Sequence, residues 1–207
     1  GCTTEVTQLI TPFDNIGVIA AHTDNITCSG SSDGALSFTA SGFGAGGFNY
    51  EVFKSDDTIE QAAVTSSSNA SIPITGLPVG TYYIKITDRD TNCSEDSEHI
   101  TIQSPSTPLD VDFNITQVLT CIGADAQVTL KPTGGWGDYE FELVETISGN
   151  VHQAFDSNNV IDNLLGISYQ VRVRDSGGCI TLAKEIIIPP IDPIVIDDAA
   201  GITTTNP

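Results

Sequence analysis

The stretch Leu77-Pro-Val-Gly-Thr-Tyr82-Tyr-Ile84-Lys-Ile86-Thr-Asp88, with Cys93 five residues on, sets Tyr82, Ile84 and Ile86 at every second position, with Lys85 and Thr87 between them. Alternation of period two is the mark of a half-buried β-strand, because successive side chains point to opposite faces of a sheet. Tyr82, Ile84 and Ile86 therefore face a core, and Tyr83, Lys85 and Thr87 face water. The entry Leu-Pro-Val-Gly-Thr-Tyr has the spacing of a tyrosine corner, in which the phenol hydroxyl ties back to nearby backbone. The same text returns at Leu164-Leu-Gly-Ile-Ser-Tyr169-Gln-Val171-Arg-Val173-Arg-Asp175, with Cys179 after it. Here Tyr169, Val171 and Val173 face inward, and Gln170, Arg172 and Arg174 outward. Upstream, Cys28-Ser-Gly-Ser-Ser-Asp33-Gly-Ala-Leu-Ser-Phe matches Cys121-Ile-Gly-Ala-Asp125-Ala-Gln-Val-Thr-Leu. Tyr82 to Tyr169 is 87 residues and Cys28 to Cys121 is 93. A period near 90 is the length of one small domain, so the chain reads as a tandem array.

The matches divide the chain into four parts. Residues 13–107 and 108–190 are complete repeats. Residues 1–12, Gly1-Cys2 to Pro12, match the run that follows the late cysteines and read as the last strand of a preceding repeat. Residues 191–207 read as the start of a following one. Within each repeat, short runs rich in Val, Ile, Thr, Tyr and Phe are bounded by Gly, Asn, Asp, Ser and Pro. Strands are expected at Ala35–Ala40, Asn49–Lys54, Ala126–Leu130 and Tyr139–Val144, with Gly42–Gly47 and Gly134-Gly135 as turns. No segment sustains a helical period. About seven strands per repeat predict an all-β chain of tandem immunoglobulin-like β-sandwiches, set in a rod by the short linkers at Pro12, Pro108 and Pro190.

Twenty-seven acidic and seven basic residues give a net charge of -20, spread over both repeats. Such a chain repels phosphates, which argues against nucleic acid as a partner and against anionic membrane surfaces. The plainest role of the charge is solubility and repulsion between neighbouring chains. No apolar run approaches the 18 residues of a membrane span, so no direct membrane insertion is expected.

Five cysteines without a Cys-x-x-Cys do not make a zinc site. Their repeat-locked positions fit disulfides in an oxidising compartment. Pairing within repeats joins Cys28 to Cys93 and Cys121 to Cys179. Pairing across junctions joins Cys2 to Cys28 and Cys93 to Cys121. Reach favours the first, because a bridge requires Cα atoms within about 7 Å. It fails if the first strand of each repeat runs full length, since its end then lies opposite the start of the last strand. Free thiols are the third alternative.

Taken together, Cys28-x-Gly30-x-Ser32-Asp33-Gly34, a Gly-rich turn with an aromatic, then Gly76-Leu77-Pro78-x-Gly80-Thr81-Tyr82, Asp88 and Cys93 resemble the SprB-type repeat of large cell-surface adhesins of gliding Bacteroidetes. Repeat 2 follows the pattern less closely, with Ala124-Asp125-Ala126 for Ser-Asp-Gly and Leu165-Gly166-Ile167 for Pro-x-Gly. The resemblance implies a secreted array on the outer cell surface, whose partners are neighbouring repeats, like chains in a filament, or surface polysaccharide. It also makes Thr58, in Asp57-Thr58-Ile59, the candidate for an O-linked glycan.

Two kinds of site remain. The junctions repeat Pro-apolar-Asp, at Pro12-Phe-Asp14, Pro108-Leu-Asp110 and Pro190-Ile-Asp192, with Asp112 after the second. Clustered oxygens suit calcium, making Asp14, Asp110, Asp112 and Asp192 candidate ligands beside turn residues Asp88, Asp90, Glu95 and Asp96. The same spacing is also a plain turn signal. Aromatics at the Gly-rich turns, Phe43, Phe48, Trp136 and Tyr139, serve either as core or as sugar-stacking faces. Trp136 and Tyr139 are the ligand candidates. His22, His99 and His152 do not recur at matched positions and mark no nucleophile or metal centre. The expected function is non-enzymatic: structural spacer repeats of an extracellular adhesin or filament. The alternative is an array of carbohydrate-binding modules.

Overall fold

The computed structural model describes residues 2–3, 15–121 and 125–191. Asp14, Asp192 and nearly all of the flanking parts expected at 1–12 and 191–207 lie outside them. The chain divides into two compact units, Gly1–Ser106 and Thr107–Pro207. Every element among the described residues is a strand. The first unit carries β1 (Gly17–Asp24), β2 (Gly34–Ser41), β3 (Phe48–Lys54), β4 (Ile59–Ser66), β5 (Ile72–Leu77), β6 (Gly80–Asp88), β7 (Ser94–Asp96) and β8 (Ile100–Ile102). The second carries β9 (Asp110–Gln117), β10 (Ala126–Thr133), β11 (Glu140–Glu145), β12 (Val151–Asp156), β13 (Val160–Leu164), β14 (Ser168–Arg174) and β15 (Lys184–Ile187).

Each unit is a sandwich of two antiparallel sheets, as the alternation predicts. In the first unit, β1-β2-β5 faces β4-β3-β6, whose far edge is completed by β7 and β8 in succession along β6. In the second, β13-β10-β9 faces β12-β11-β14-β15. The quoted stretch is the strand β6, and its burial alternates residue by residue from Tyr82 to Asp88. Tyr82, Ile84 and Ile86 are fully buried with Leu36, Phe38, Phe48 and Val52. Tyr169, Val171 and Val173 on β14 bury against Val128, Leu130, Phe141 and Leu143 in the same way. β11 starts one residue later than the sequence suggests. Tyr139 belongs instead to the preceding turn, where its hydroxyl donates to the Gly134 carbonyl at 2.7 Å.

The tyrosine corner is present in both units with opposite polarity. Tyr82 donates to the Pro78 carbonyl at 2.8 Å. Tyr169 accepts from the Leu165 amide at 2.9 Å. Proline and leucine at the matched places give the reason: one corner offers a carbonyl, the other an N–H. The last strand of each sandwich is broken, and a hydroxyl repairs the break. The Ser97 amide donates to the Ile84 carbonyl at 2.8 Å while Ser97 Oγ accepts from the Ile84 amide at 2.9 Å. The Thr181 amide and Oγ1 do the same for Val173, both at 3.0 Å.

The expected bridges within repeats do not form: Cys2, Cys93 and Cys121 are free and exposed. Cys28 and Cys179 are disulfide-bonded. The reason is strand length. β1 and β9 each run eight residues, about 25 Å. Cys28 follows the end of β1, beside the exit of its unit, where the Ile26 amide meets the Gln103 carbonyl. Cys93 closes the turn after β6, beside the entry, and both line opposite ends of the same sandwich. In the second unit Cys121 follows β9 at the exit end, and Cys179 sits beside Asp175 at the entry end. A strand-length separation far exceeds the reach of a disulfide.

Candidate functional site

The recurring acidic residues and turn glycines gather at the entry end of each sandwich. In the first unit Asp88 ends β6 and is only 3% exposed. Its Oδ2 accepts from the Gly44 amide at 2.9 Å, and Oδ1 from the amides of Asp90 at 2.6 Å and Thr91 at 3.2 Å. Asp90 Oδ2 in turn accepts from Gly46 at 2.8 Å. In the second unit Asp175 takes the same place, accepting from the amides of Trp136 and Cys179, both at 2.9 Å. The Asp88 and Asp175 amides close their turns on the carbonyls of Cys93 and Cys179. A carboxylate that receives several N–H donors is held in its charged form. The Gly44 amide, then that of Asp90, keep the Asp88 carboxyl below the usual carboxylate range.

The glycine turns are shaped by what they touch. Gly42 and Gly134 both have positive φ, 69° and 73°. A Cβ at Gly42 would overlap the Asn15 carbonyl, and one at Gly134 the Pro108 carbonyl. Each glycine thus lets the turn before β3 or β11 lie against the backbone that enters β1 or β9. Gly44 and Gly46 have room for no side chain against Asp90, nor Gly135 against Asp175. The device at each entry end is one of fixation: an acidic side chain binds backbone amides of a turn that glycine brings close.

Of the candidate metal ligands Asp14, Asp110, Asp112 and Asp192, only Asp110 and Asp112 lie among the described residues. Asp110 and Asp112 are exposed on alternate positions of β9. Asp110 accepts from the Val111 amide at 2.8 Å. Asp112 accepts from the Phe113 amide at 2.9 Å and lies 3.6 Å from Lys184 Nζ. The Phe113 amide and then Lys184 hold its carboxyl low. Asp96 pairs with Lys85 at 3.5 Å. No group of three or more His, Cys, Asp or Glu side chains among the described residues is arranged to hold a metal ion.

The turn aromatics are mostly absorbed into packing. Phe48 is fully buried rather than exposed. Phe43 lies against it with centroids 4.7 Å apart. Tyr139 packs on the second core. Trp136 is half-buried, and its ring occupies the space that a side chain at Gly177 would need. Thr58 is exposed in the β3–β4 turn, where its hydroxyl donates to Asp56 at 2.6 Å. The three histidines are dispersed: His22 contacts Asn25, His99 lies against Tyr83, and His152 meets the Asp162 carbonyl.

The outward faces of the two core strands differ, which sequence reading did not resolve. On the first unit Phe53 and Tyr83 are cross-strand partners, stacked at 5.3 Å and 11°. Tyr83 donates to Asp57 Oδ1 at 2.9 Å, and this bond pushes its phenol up to about 12. On the second unit Arg172 pairs with Glu142 and Arg174 with Glu140. Both guanidinium groups lie over Phe155, at 5.9 and 4.6 Å. Glu140 and Glu142 thus serve a charge ladder on the solvent face. Period-two patterning placed these residues outside; only the cross-strand register decides their partners.

No family model and no curated protein matches the chain. Among solved structures it is similar to the C-terminal 282-residue fragment of intimin, solved with the intimin-binding domain of its translocated receptor. That match has a TM-score of 0.44 and 13% identity, covering 84% of this chain and 64% of the other. It is similar to the fibronectin(III)-like modules of Clostridium thermocellum CbhA, at TM-score 0.38 and 15% identity over 85% and 95% of the two chains. A third is a tetra-tandem repeat in the extending region of a large adhesion protein, at TM-score 0.30 and 12% identity over 82% and 47%. The chain thus spans less than two thirds of the first and third. The all-β sandwich fold itself rests on the strand order and register of this chain.

Proposed function

We infer that the chain is a run of non-enzymatic structural repeats from an extracellular cell-surface adhesin or filament, of the SprB type that its repeat text resembles. One observation carries this reading. The polar residues that recur between units, Asp88 and Asp175, spend their oxygens on the backbone of their own turns. Chemistry repeated in every unit leaves its recurring polar groups open to a ligand; here recurrence serves the architecture. Repetition of one sandwich builds length and presents whatever lies beyond it. A net charge of -20 keeps such strings apart in solution. Neighbouring repeats, like chains and surface polysaccharide are the partners of this reading, and Thr58, exposed on a turn, is its glycan acceptor. Calcium, if it enters, requires Asp110 and Asp112 to gather ligands from beyond the described residues. The carbohydrate-module reading rests on Trp136 and Tyr139. It is less favoured because Tyr139 packs on the core and its hydroxyl is taken by Gly134.

The test is surface labelling. Antibody raised against this chain should stain intact source cells, and brief external proteolysis should remove the signal. Signal that appears only after permeabilisation contradicts the reading. A glycan array on the same chain separates the alternative: specific binding abolished by Trp136→Ala would favour a carbohydrate module.

A further inference from the structure

A row of large side chains crosses the solvent face of the first unit. Ile59 on β4 is the cross-strand partner of Phe53 on β3, and Phe53 is the partner of Tyr83 on β6. His99, directly before β8, continues the row with its ring 5.2 Å from that of Tyr83. Val52 and Tyr82, the chain neighbours of Phe53 and Tyr83, are fully buried, so the row points away from the core. Ile59 is 58% exposed, His99 is exposed, and Phe53 and Tyr83 are half-buried. The Phe53 and Tyr83 rings lie within 11° of parallel with centroids 5.3 Å apart. Rings in direct face-to-face contact sit about 3.5–4 Å apart, so these two are offset and each keeps part of its face uncovered by the other. With strands about 4.8 Å apart, the four positions make a strip roughly 14 Å long and one side chain wide. Polar groups border both long sides, because Thr81 and Lys85 stand two residues to either side of Tyr83 on β6. On the first side Asp57 accepts from the Tyr83 hydroxyl at 2.9 Å, and Thr81 and Thr101 share a hydrogen bond at 3.0 Å. On the other, Glu51 lies opposite Lys85, which pairs with Asp96 at 3.5 Å. The corresponding face of the second unit is taken up by the Arg172–Glu142 and Arg174–Glu140 pairs over Phe155. The aromatic strip is therefore a feature of the first unit and not of the repeat.

We propose that this strip binds a neutral oligosaccharide laid across the strands, its C–H faces on Phe53, Tyr83 and His99 and its hydroxyls on Asp57, Thr81 and Glu51. Three observations select that ligand class. An apolar floor edged by a few polar groups suits a ligand that is apolar on its faces and polar around its rim, which describes a pyranose ring. A polyanion is repelled by a chain of net charge -20 and by Glu51, Asp57 and Asp96 at the edges of the strip. A stable protein partner requires about 1,000 Å² of buried surface, and a strip one side chain wide supplies a fraction of that. The Tyr83 hydroxyl, held by Asp57, fixes its ring before any ligand arrives, so little ordering is lost on binding. The proposal rests on the array reading in one respect: it gives the surface-polysaccharide partner of that reading a place on the chain.

The experiment is an NMR titration of the full chain with four neutral oligosaccharides: cellohexaose, laminarihexaose, mannohexaose and chitohexaose. Oligogalacturonate serves as the anionic counterpart. At least one neutral probe should shift the signals of Phe53, Tyr83 and His99 saturably, and oligogalacturonate should not. Tyr83→Ala and Phe53→Ala should each weaken binding roughly tenfold, the size of one lost aromatic contact. Tyr83→Phe, which keeps the ring, should retain most of the affinity. Shifts read on the parent chain locate the ligand without relying on any variant. Failure of all four neutral probes to shift these residues would overturn the proposal. So would binding that moves Trp136 and is lost in Trp136→Ala but kept in Tyr83→Ala, or oligogalacturonate binding at the strip as tightly as the neutral probes. Shifts at Phe53 and Tyr83 that grow with protein concentration alone would assign the strip to a second copy of the chain, and would also overturn it. Surface labelling tests the array reading separately: stained cells with no sugar bound would sink the site alone, and unstained cells would sink the array reading whatever the titration gives.

Discussion

Tyr82 and Tyr83 are adjacent in sequence and face opposite ways, and the consequences of mutating them follow from that. Tyr82 is fully buried and donates to Pro78. Truncating it to alanine removes core packing and leaves a cavity, a loss of about 3–5 kcal/mol. Tyr82→Phe keeps the ring and should cost about 1 kcal/mol, the net worth of one hydrogen bond. Denaturant unfolding of the two variants measures both. Tyr83→Ala, which loses the outward stack on Phe53, the ring contact with His99 and the bond to Asp57, should lower stability far less than Tyr82→Ala. Tyr83 also makes a pH prediction. Its phenol is raised from about 10 when unfolded to about 12 when folded, so the protonated form is favoured by folding. The associated stability is complete below pH 10 and disappears as pH rises through 12. Ultraviolet or NMR titration should find one tyrosine near 12, and Asp57→Asn should return it toward 10. Asp88 behaves in the opposite sense. Its folded pKa is depressed, so its contribution is present above about 4, the unfolded value, and is lost as pH falls through the lower folded one. In Asp88→Asn the acid limb of the stability curve should flatten, as read by denaturant midpoints between pH 5 and 2.

At the scale of elements, the turns before β3 and β11 are held by glycines that no other residue replaces. Gly134→Ala places a methyl on the Pro108 carbonyl at a positive φ. Strain of about 1–3 kcal/mol for such a conformation sets a floor on the loss, to be read by thermal or denaturant unfolding. Gly137 also has a positive φ but nothing near its Cβ position. Gly137→Ala should therefore lose less. The strand phase of β6 and β14 was legible in the sequence because period-two alternation is unbroken there and one face is buried. The tyrosine corner was legible because its spacing is local. The last strand was not: Ser97 and Thr181 patch its break with their hydroxyls, and nothing distinguishes them in sequence from any polar strand residue. The cysteine partners were misread for a related reason. Pairing them required knowing that β1 and β9 run the whole length of their sandwiches, and a strand's reach is set by its partner strands. Asp88 and Asp90 were legible as turn carboxylates, but the amides aimed at them were not, because composition counts carboxylates without their donors.

At the scale of the molecule, the chain is two sandwiches with separate cores. Each core is closed by its own strands, with Tyr82 at the centre of one and Tyr169 at the centre of the other. Stability in such arrays is carried repeat by repeat. Amide hydrogen exchange on the full chain carrying Tyr169→Ala tests this most directly, because it reads every strand in one sample. The account predicts that protection falls across β10, β11 and β14 while β2, β3 and β6 exchange as in the parent chain. Equal loss of protection in both sets of strands would contradict it.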